Sequence, residues 1–128
     1  MSQKSILITG ILLGALAVMI GAFGAHGLEK TLTANGRNAT FETGVKYHMY
    51  HVFALLATGL ILFHVQSRYI HWAGLFFLIG IVIFSGSLYI LSITNIKWLG
   101  AITPIGGLFM IAGWLSLGHG LFYAWPKK

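Results

Sequence analysis

The chain has 128 residues, of which 57% are hydrophobic, and only ten are charged: eight Lys/Arg against two Asp/Glu. At 8% charged residues it lies far below the roughly 25% of a soluble domain, which excludes a soluble enzyme, a nucleic-acid-binding domain and a disordered chain. It has no cysteine, which excludes disulfides, Fe–S clusters, thiolate zinc and haem attached through cysteine. The charges leave four uncharged stretches, 5–28, 47–67, 69–96 and 98–126. Each exceeds the roughly 20 residues that a helix needs to cross a bilayer. The expected fold is therefore all-α: an integral membrane four-helix transmembrane bundle with short loops. It forms a single membrane domain over 1–128, with spans at about 5–25, 46–66, 69–93 and 99–125 and a hydrophilic loop at 26–45.

The first span follows Lys4. Ala22 and Gly24 near its end imitate a signal-peptide cleavage site. The apolar run over 6–25 is longer than the 7–15 residues of a signal h-region, so an uncleaved span is expected. Small residues fall at Gly10, Gly14, Ala17, Gly21 and Gly24, in steps of four and three. In lipid, helices gain little from apolar contact and associate where small residues let backbones approach. This stripe is expected to be a packing face.

Within 26–45, Asn35-Gly36 signals a turn, and Asn38 or Thr40 is the expected cap of the second helix. Glu42 and Lys46 are spaced to pair on its first turns, so this helix is expected to begin before the membrane. Along it, Tyr47, His51, Ala54 and Thr58 share one face. The third span, after a tight connection at 66–68, repeats small residues at Ala73, Gly80 and Ser87. The fourth reads Thr103 as N-cap and Pro104 as first helical residue, with a start near Trp98 and a kink at Pro104 as the alternative. It carries Gly106, Gly113 and Gly120 every seven residues. These registers predict a closely packed, left-handed bundle. Tyr47, Tyr50, Tyr69, Trp72, Trp98, Tyr123 and Trp125 lie near span ends and form an interfacial belt.

Polar side chains inside spans are costly and mark candidate sites. The candidate set is His26, Tyr47, His51, Ser85, Ser87, Tyr89 and Thr103. His51 is the most suggestive. It lies about one turn into a span, where a histidine either makes an interhelical hydrogen bond or holds a proton. His48 and His51 form a close pair, but no second compact pair or HExxH motif accompanies them. No metal or other cofactor is expected. Both carboxylates, Glu29 and Glu42, lie outside the spans, and no nucleophile–base–orienter set is visible, so no catalytic residue is expected.

The segments GAFGAHGL (21–28), TGVKYHMYHVFALL (43–56), FSGSLYIL (84–91) and LGAITPIGGLFMIAGW (99–114) together resemble the YgdD-like family. That family includes animal transmembrane protein 256 and is known as domain of unknown function 423. The resemblance covers nearly the whole chain. It implies a four-helix integral membrane protein, of the cytoplasmic (inner) membrane in bacteria, and implies no reaction. The family's motif positions match at Gly21, Gly24, His26, Gly27, Tyr47, His51, Ser85, Gly86, Ser87, Tyr89, Thr103, Pro104, Gly106, Gly107 and Gly113.

The expected role is non-enzymatic: structural or envelope-homeostatic, through helix packing, self-assembly or a membrane-protein partner. The packing positions are Gly10, Gly14, Gly21, Gly24, Gly80, Gly106, Gly113 and Gly120. The alternative is a small-molecule site near His51 for lipid, quinone or a proton-coupled solute, lined by His26, Tyr47, His51, Ser87 and Tyr89. Membrane lipids are expected partners and nucleic acid is not, because no basic cluster exceeds the terminal Lys127-Lys128 pair. Basic residues are divided four against four between the two sides, and the termini are assigned to the cytoplasm.

Overall fold

A computed structural model describes residues 1–125. Lys127 and Lys128, counted in the orientation argument, lie outside the described residues. Those described are overwhelmingly helical, with no strand among them. In chain order the helices are α1 (Gln3–His26), α2 (Glu29–Asn35), α3 (Asn38–Ile61), α4 (Arg68–Gly80), α5 (Gly86–Thr94) and α6 (Thr103–Ala124). A π-helical turn, Ile81–Ser85, joins α4 to α5 without a break in direction, and a 3-10 turn, Lys97–Ala101, precedes α6.

Local chemistry fixes the helix ends. Ser2 caps α1 by accepting from the Ser5 N–H (3.1 Å), and Ser67 caps α4 by accepting from the Tyr69 N–H (3.3 Å). Helix α2 stops at Gly36, whose φ of 64° is left-handed and favours glycine. Asn95 ends α5 in the same conformation, with φ of 55°, as an asparagine tolerates.

Three expectations at helix starts are corrected. Segment 26–45 is not a loop: α2 and the first two turns of α3 occupy most of it. Gly27 ends α1 and Gly36 ends α2, and the residues between these glycines and beyond them continue as helix. Helix α3 has Arg37 as its N-cap residue, with no side-chain cap, and Asn38 instead donates to Thr33 Oγ1 (3.2 Å). Thr103 is already helical, with Ile102 as cap residue and Pro104 in the first turn. The Thr103 hydroxyl is drawn into a side-chain pair described below.

Among the described residues, three helical segments are long and apolar enough to cross a membrane: Gln3–His26, Arg68–Thr94 and Lys97–Ala124. Helix α3 is equally long but less apolar, because it carries Glu42, Lys46 and its histidines. Packing is sequential: α1 lies on α3, α3 on the α4–α5 rod, and that rod on α6. The outer helices α1 and α6 leave large apolar side chains such as Leu12, Val18, Leu108 and Leu115 exposed, as lipid-facing surfaces do.

Both long seams are made by glycine. On α1, a Cβ at Gly10 would lie 3.1 Å from Leu56 Cγ, one at Gly14 3.2 Å from Val52, one at Gly21 3.3 Å from Val45, and one at Gly24 2.7 Å from Phe41 Cζ. Between the α4–α5 rod and α6, a Cβ at Gly80 would lie 3.2 Å from the Gly106 carbonyl oxygen. One at Gly113 would meet the Phe77 ring at 2.6 Å, and one at Gly120 would meet Ile70 Cγ1 at 2.7 Å. The closest approach to backbone is at Gly106, where a Cβ would fall 2.7 Å from Phe84 Cα, inside the π turn. Side chains can rotate away from such contacts, but backbone in a packed helix cannot.

Candidate functional site

The π turn determines where the polar side chains go. Its Gly86 N–H reaches back five residues to the Ile81 carbonyl, which widens the helix locally. Ser85 then faces α3, where its hydroxyl donates to the Gly44 carbonyl (2.7 Å). Ser87 faces α6, donating to the Phe84 carbonyl (2.9 Å) and pairing with the Thr103 hydroxyl (2.7 Å). One turn on, the Tyr89 ring lies over Gly44, where a Cβ would be 2.9 Å from it, and its hydroxyl bonds His48 Nδ1 (2.9 Å). Gly44 therefore serves two contacts, exposing its carbonyl to Ser85 and making room for Tyr89.

His51 lies on the neighbouring face of α3. Its Nδ1 donates to the Tyr47 carbonyl one turn back (2.7 Å), so Nε2 is the unprotonated nitrogen and accepts from Trp114 Nε1 of α6 (3.2 Å). Both ring nitrogens are occupied, and the arrangement accommodates only the neutral imidazole. The Phe77 ring packs on it at 5.7 Å. Thr58 and Ser92 are buried too, but each returns its hydroxyl to a carbonyl four residues earlier in its own helix.

The seven candidate residues do not form one pocket. Tyr47 and His51 line a cleft between α3, the π turn and α6. Ser85 is buried against α3, and Ser87 and Thr103 are buried together at the α6 contact. Tyr89 is half-buried against His48, and His26 is exposed at the end of α1. Among the described residues, no group of three His, Asp or Glu side chains is placed to hold a metal ion.

Sequence reasoning missed His48. It is only 2% exposed, and its Nε2 is buried without a hydrogen-bond partner among the described residues. A signal was present: Phe41, Gly44, His48, Val52, Leu55 and Gly59 recur at helical spacing and are all buried, so His48 sits inside the packing face. A clasp at that end of the molecule was also missed. Asn35 Nδ2 donates to the Ser92 and Ile93 carbonyls (both 3.0 Å), and Arg37 Nε donates to Asn95 Oδ1 (3.0 Å). The two Asn35 bonds satisfy carbonyls that the end of α5 leaves open, and the Arg37 bond holds the side chain of the residue that ends it.

The geometry defines a helical membrane protein whose polar interior joins helix to helix. The family model described as "Protein of unknown function (DUF423)" matches residues 20–107. The UPF0382 membrane protein SSP2132 of Staphylococcus saprophyticus is 49% identical over 94% of this chain and 98% of its own length. The UPF0382 membrane protein YwdK of Bacillus subtilis is 44% identical over 90% of this chain and 94% of its own length. The UPF0382 inner membrane protein YgdD of Escherichia coli is 35% identical over 89% and 86%. The chain belongs to this DUF423/UPF0382 family of membrane proteins, which the four quoted segments anticipated. The relatives' names indicate no enzyme activity. No solved structure matches.

The Ser87–Thr103 pair gives a direct measure of polar coupling between the rod and α6. In a double-mutant cycle of Ser87→Ala and Thr103→Val, read by unfolding in detergent, the expected coupling is about 0.6–2 kcal/mol. Simple additivity would show that the two hydroxyls do not hold the helices together.

Proposed function

We propose that this chain is a four-span, single-domain membrane protein with a non-catalytic, structural role, acting through its packed body in envelope homeostasis, self-assembly or contact with a membrane partner. The carrying observation is the use to which its buried polar groups are put. Ser85, Ser87, Thr103, Tyr89, His48 and His51 are engaged in contacts that join one helix to another. A catalytic site needs polar groups left free for a substrate, and, His48 Nε2 apart, the polar atoms of these side chains are taken up by hydrogen bonds within the protein.

Helix α3 is the fourth crossing in this reading. Its 24 residues extend about 36 Å at 1.5 Å per residue, enough to span. Its His48, His51 and Thr58 side chains are buried against neighbouring helices and not in lipid, which is how a polar helix is tolerated in a bilayer. The exposed apolar surfaces of α1 and α6 face lipid, and the termini lie on the cytoplasmic side.

The chain lacks cysteine, so topology can be read with single introduced thiols. Thr33→Cys in α2 and Ser67→Cys before α4 are expected to label from opposite faces of oriented membranes, with Ser67→Cys on the cytoplasmic face. Labelling of both from one face would remove α3 as a crossing. For the role itself, His51→Ala is expected to restore most of any growth or envelope defect of a deletion strain. Gly14→Leu and Gly106→Leu, which separate the helices, are expected to restore none. A His51→Ala variant as defective as the deletion would contradict the structural reading.

A further inference from the structure

Two adjacent glycines of α6 have opposite surroundings. A Cβ at Gly106 collides with backbone, whereas one at Gly107 would meet nothing nearer than the Phe84 ring at 3.7 Å, an ordinary contact. Helix packing does not require glycine at Gly107. What its missing side chain leaves is space: Gly107 lines a cleft of about 310 Å³ between α3, the π turn and α6. Tyr47, His51, Phe84 and Trp114 wall it with rings, and Met110 and Ile111 complete it. The Tyr47 and Phe84 rings are 4.8 Å apart, and those of His51 and Trp114 are 6.2 Å apart.

We propose that this cleft binds the head of a lipid-soluble quinone, a planar carbonyl-bearing ring on an apolar tail. The polar groups of the cleft select this chemistry. His51 is saturated on both nitrogens and the Trp114 N–H is spent on His51. The Tyr47 hydroxyl makes no hydrogen bond to the described residues, and Tyr47 is 42% exposed. One neutral donor beside aromatic faces suits a ligand that accepts a hydrogen bond and stacks. The walls carry no formal charge, which disfavours a phosphate or carboxylate head. Tyr47 follows the Glu42–Lys46 ion pair by one residue, so the polar end of the cleft lies nearest the membrane surface. Met110, Ile111 and Trp114 carry the apolar lining onward along α6. The proposal concerns binding alone, and it is independent of the packing role.

The test uses the full chain with Trp114 as its sole tryptophan (Trp72→Phe, Trp98→Phe, Trp125→Phe) in phosphatidylcholine nanodiscs. Decylubiquinone is titrated while Trp114 fluorescence is followed. Saturable quenching is expected, with its midpoint raised at least tenfold by Gly107→Leu, which fills the cleft, and several-fold by Tyr47→Phe. Helix content and thermal unfolding of each variant separate loss of the site from loss of packing. If Gly107→Leu fails to fold, Gly107→Ala decides: a weaker midpoint supports the site, and an unchanged one overturns it. Quenching that rises linearly with quinone, or that both cleft variants leave unchanged, shows collision in the bilayer and overturns the proposal. Saturable displacement of the quinone by oleic acid, with no effect of Tyr47→Phe, identifies an acyl-chain groove and equally overturns it.

Discussion

Water drives soluble helices together by releasing apolar surface, but lipid supplies no such force. Helices in a bilayer must come close enough for dispersion and polar contacts to act. In this chain the governing contact is the approach of Gly106 on α6 to the backbone at Phe84. It occurs inside the π turn, and the two features support each other. The widened turn pushes its backbone towards α6, and glycine is what allows α6 to receive it. The Ser87–Thr103 and Trp114–His51 bonds both cross to α6. Neither forms if α6 stands off by the width of a methyl group.

The same logic distributes polarity. Helix α3 is the least apolar of the long helices, and its polar residues are directed to neighbours on both sides. Glycine admits Tyr89 at Gly44, and the small-residue stripe of α1 lies along the other side of α3 from Phe41 to Leu56. The least apolar of the long helices therefore lies between two protein neighbours, α1 and the α4–α5 rod. Both outer helices are almost purely apolar, and they leave much of that surface to the bilayer.

Much of this was legible in residue spacing. The seven-residue registers of Gly10 to Gly24 and of Gly106, Gly113 and Gly120 lie on the two seams, because small-residue spacing in a membrane helix reports contact directly. The π turn was not legible. Nothing in the run from Ile81 to Ser85 distinguishes it from ordinary helix, since the extra residue is accommodated by tertiary contacts with Gly106 and Gly44. His48 is hard to read from the sequence because it lies one residue after Tyr47, and its neighbours at helical spacing, Gly44, Val52, Leu55 and Gly59, are apolar or small, which marks a packing face and not a polar site. Helix α2 is not legible in the sequence, because hydrophilic composition says nothing of helicity. Its docking depends on Asn35 and Arg37 finding the end of α5, a contact between segments nearly 60 residues apart.

The central claim is that backbone approach at Gly106, and not glycine content in general, holds α6 in place. Unfolding of Gly106→Ala and Gly107→Ala in the same detergent tests it, because the substitutions are chemically identical and adjacent. Gly106→Ala is expected to destabilise by about 1–3 kcal/mol, the cost of forcing a methyl into a filled contact. Gly107→Ala is expected to stay within about 0.5 kcal/mol of the parent. Equal effects, or a tolerant Gly106, would contradict the account.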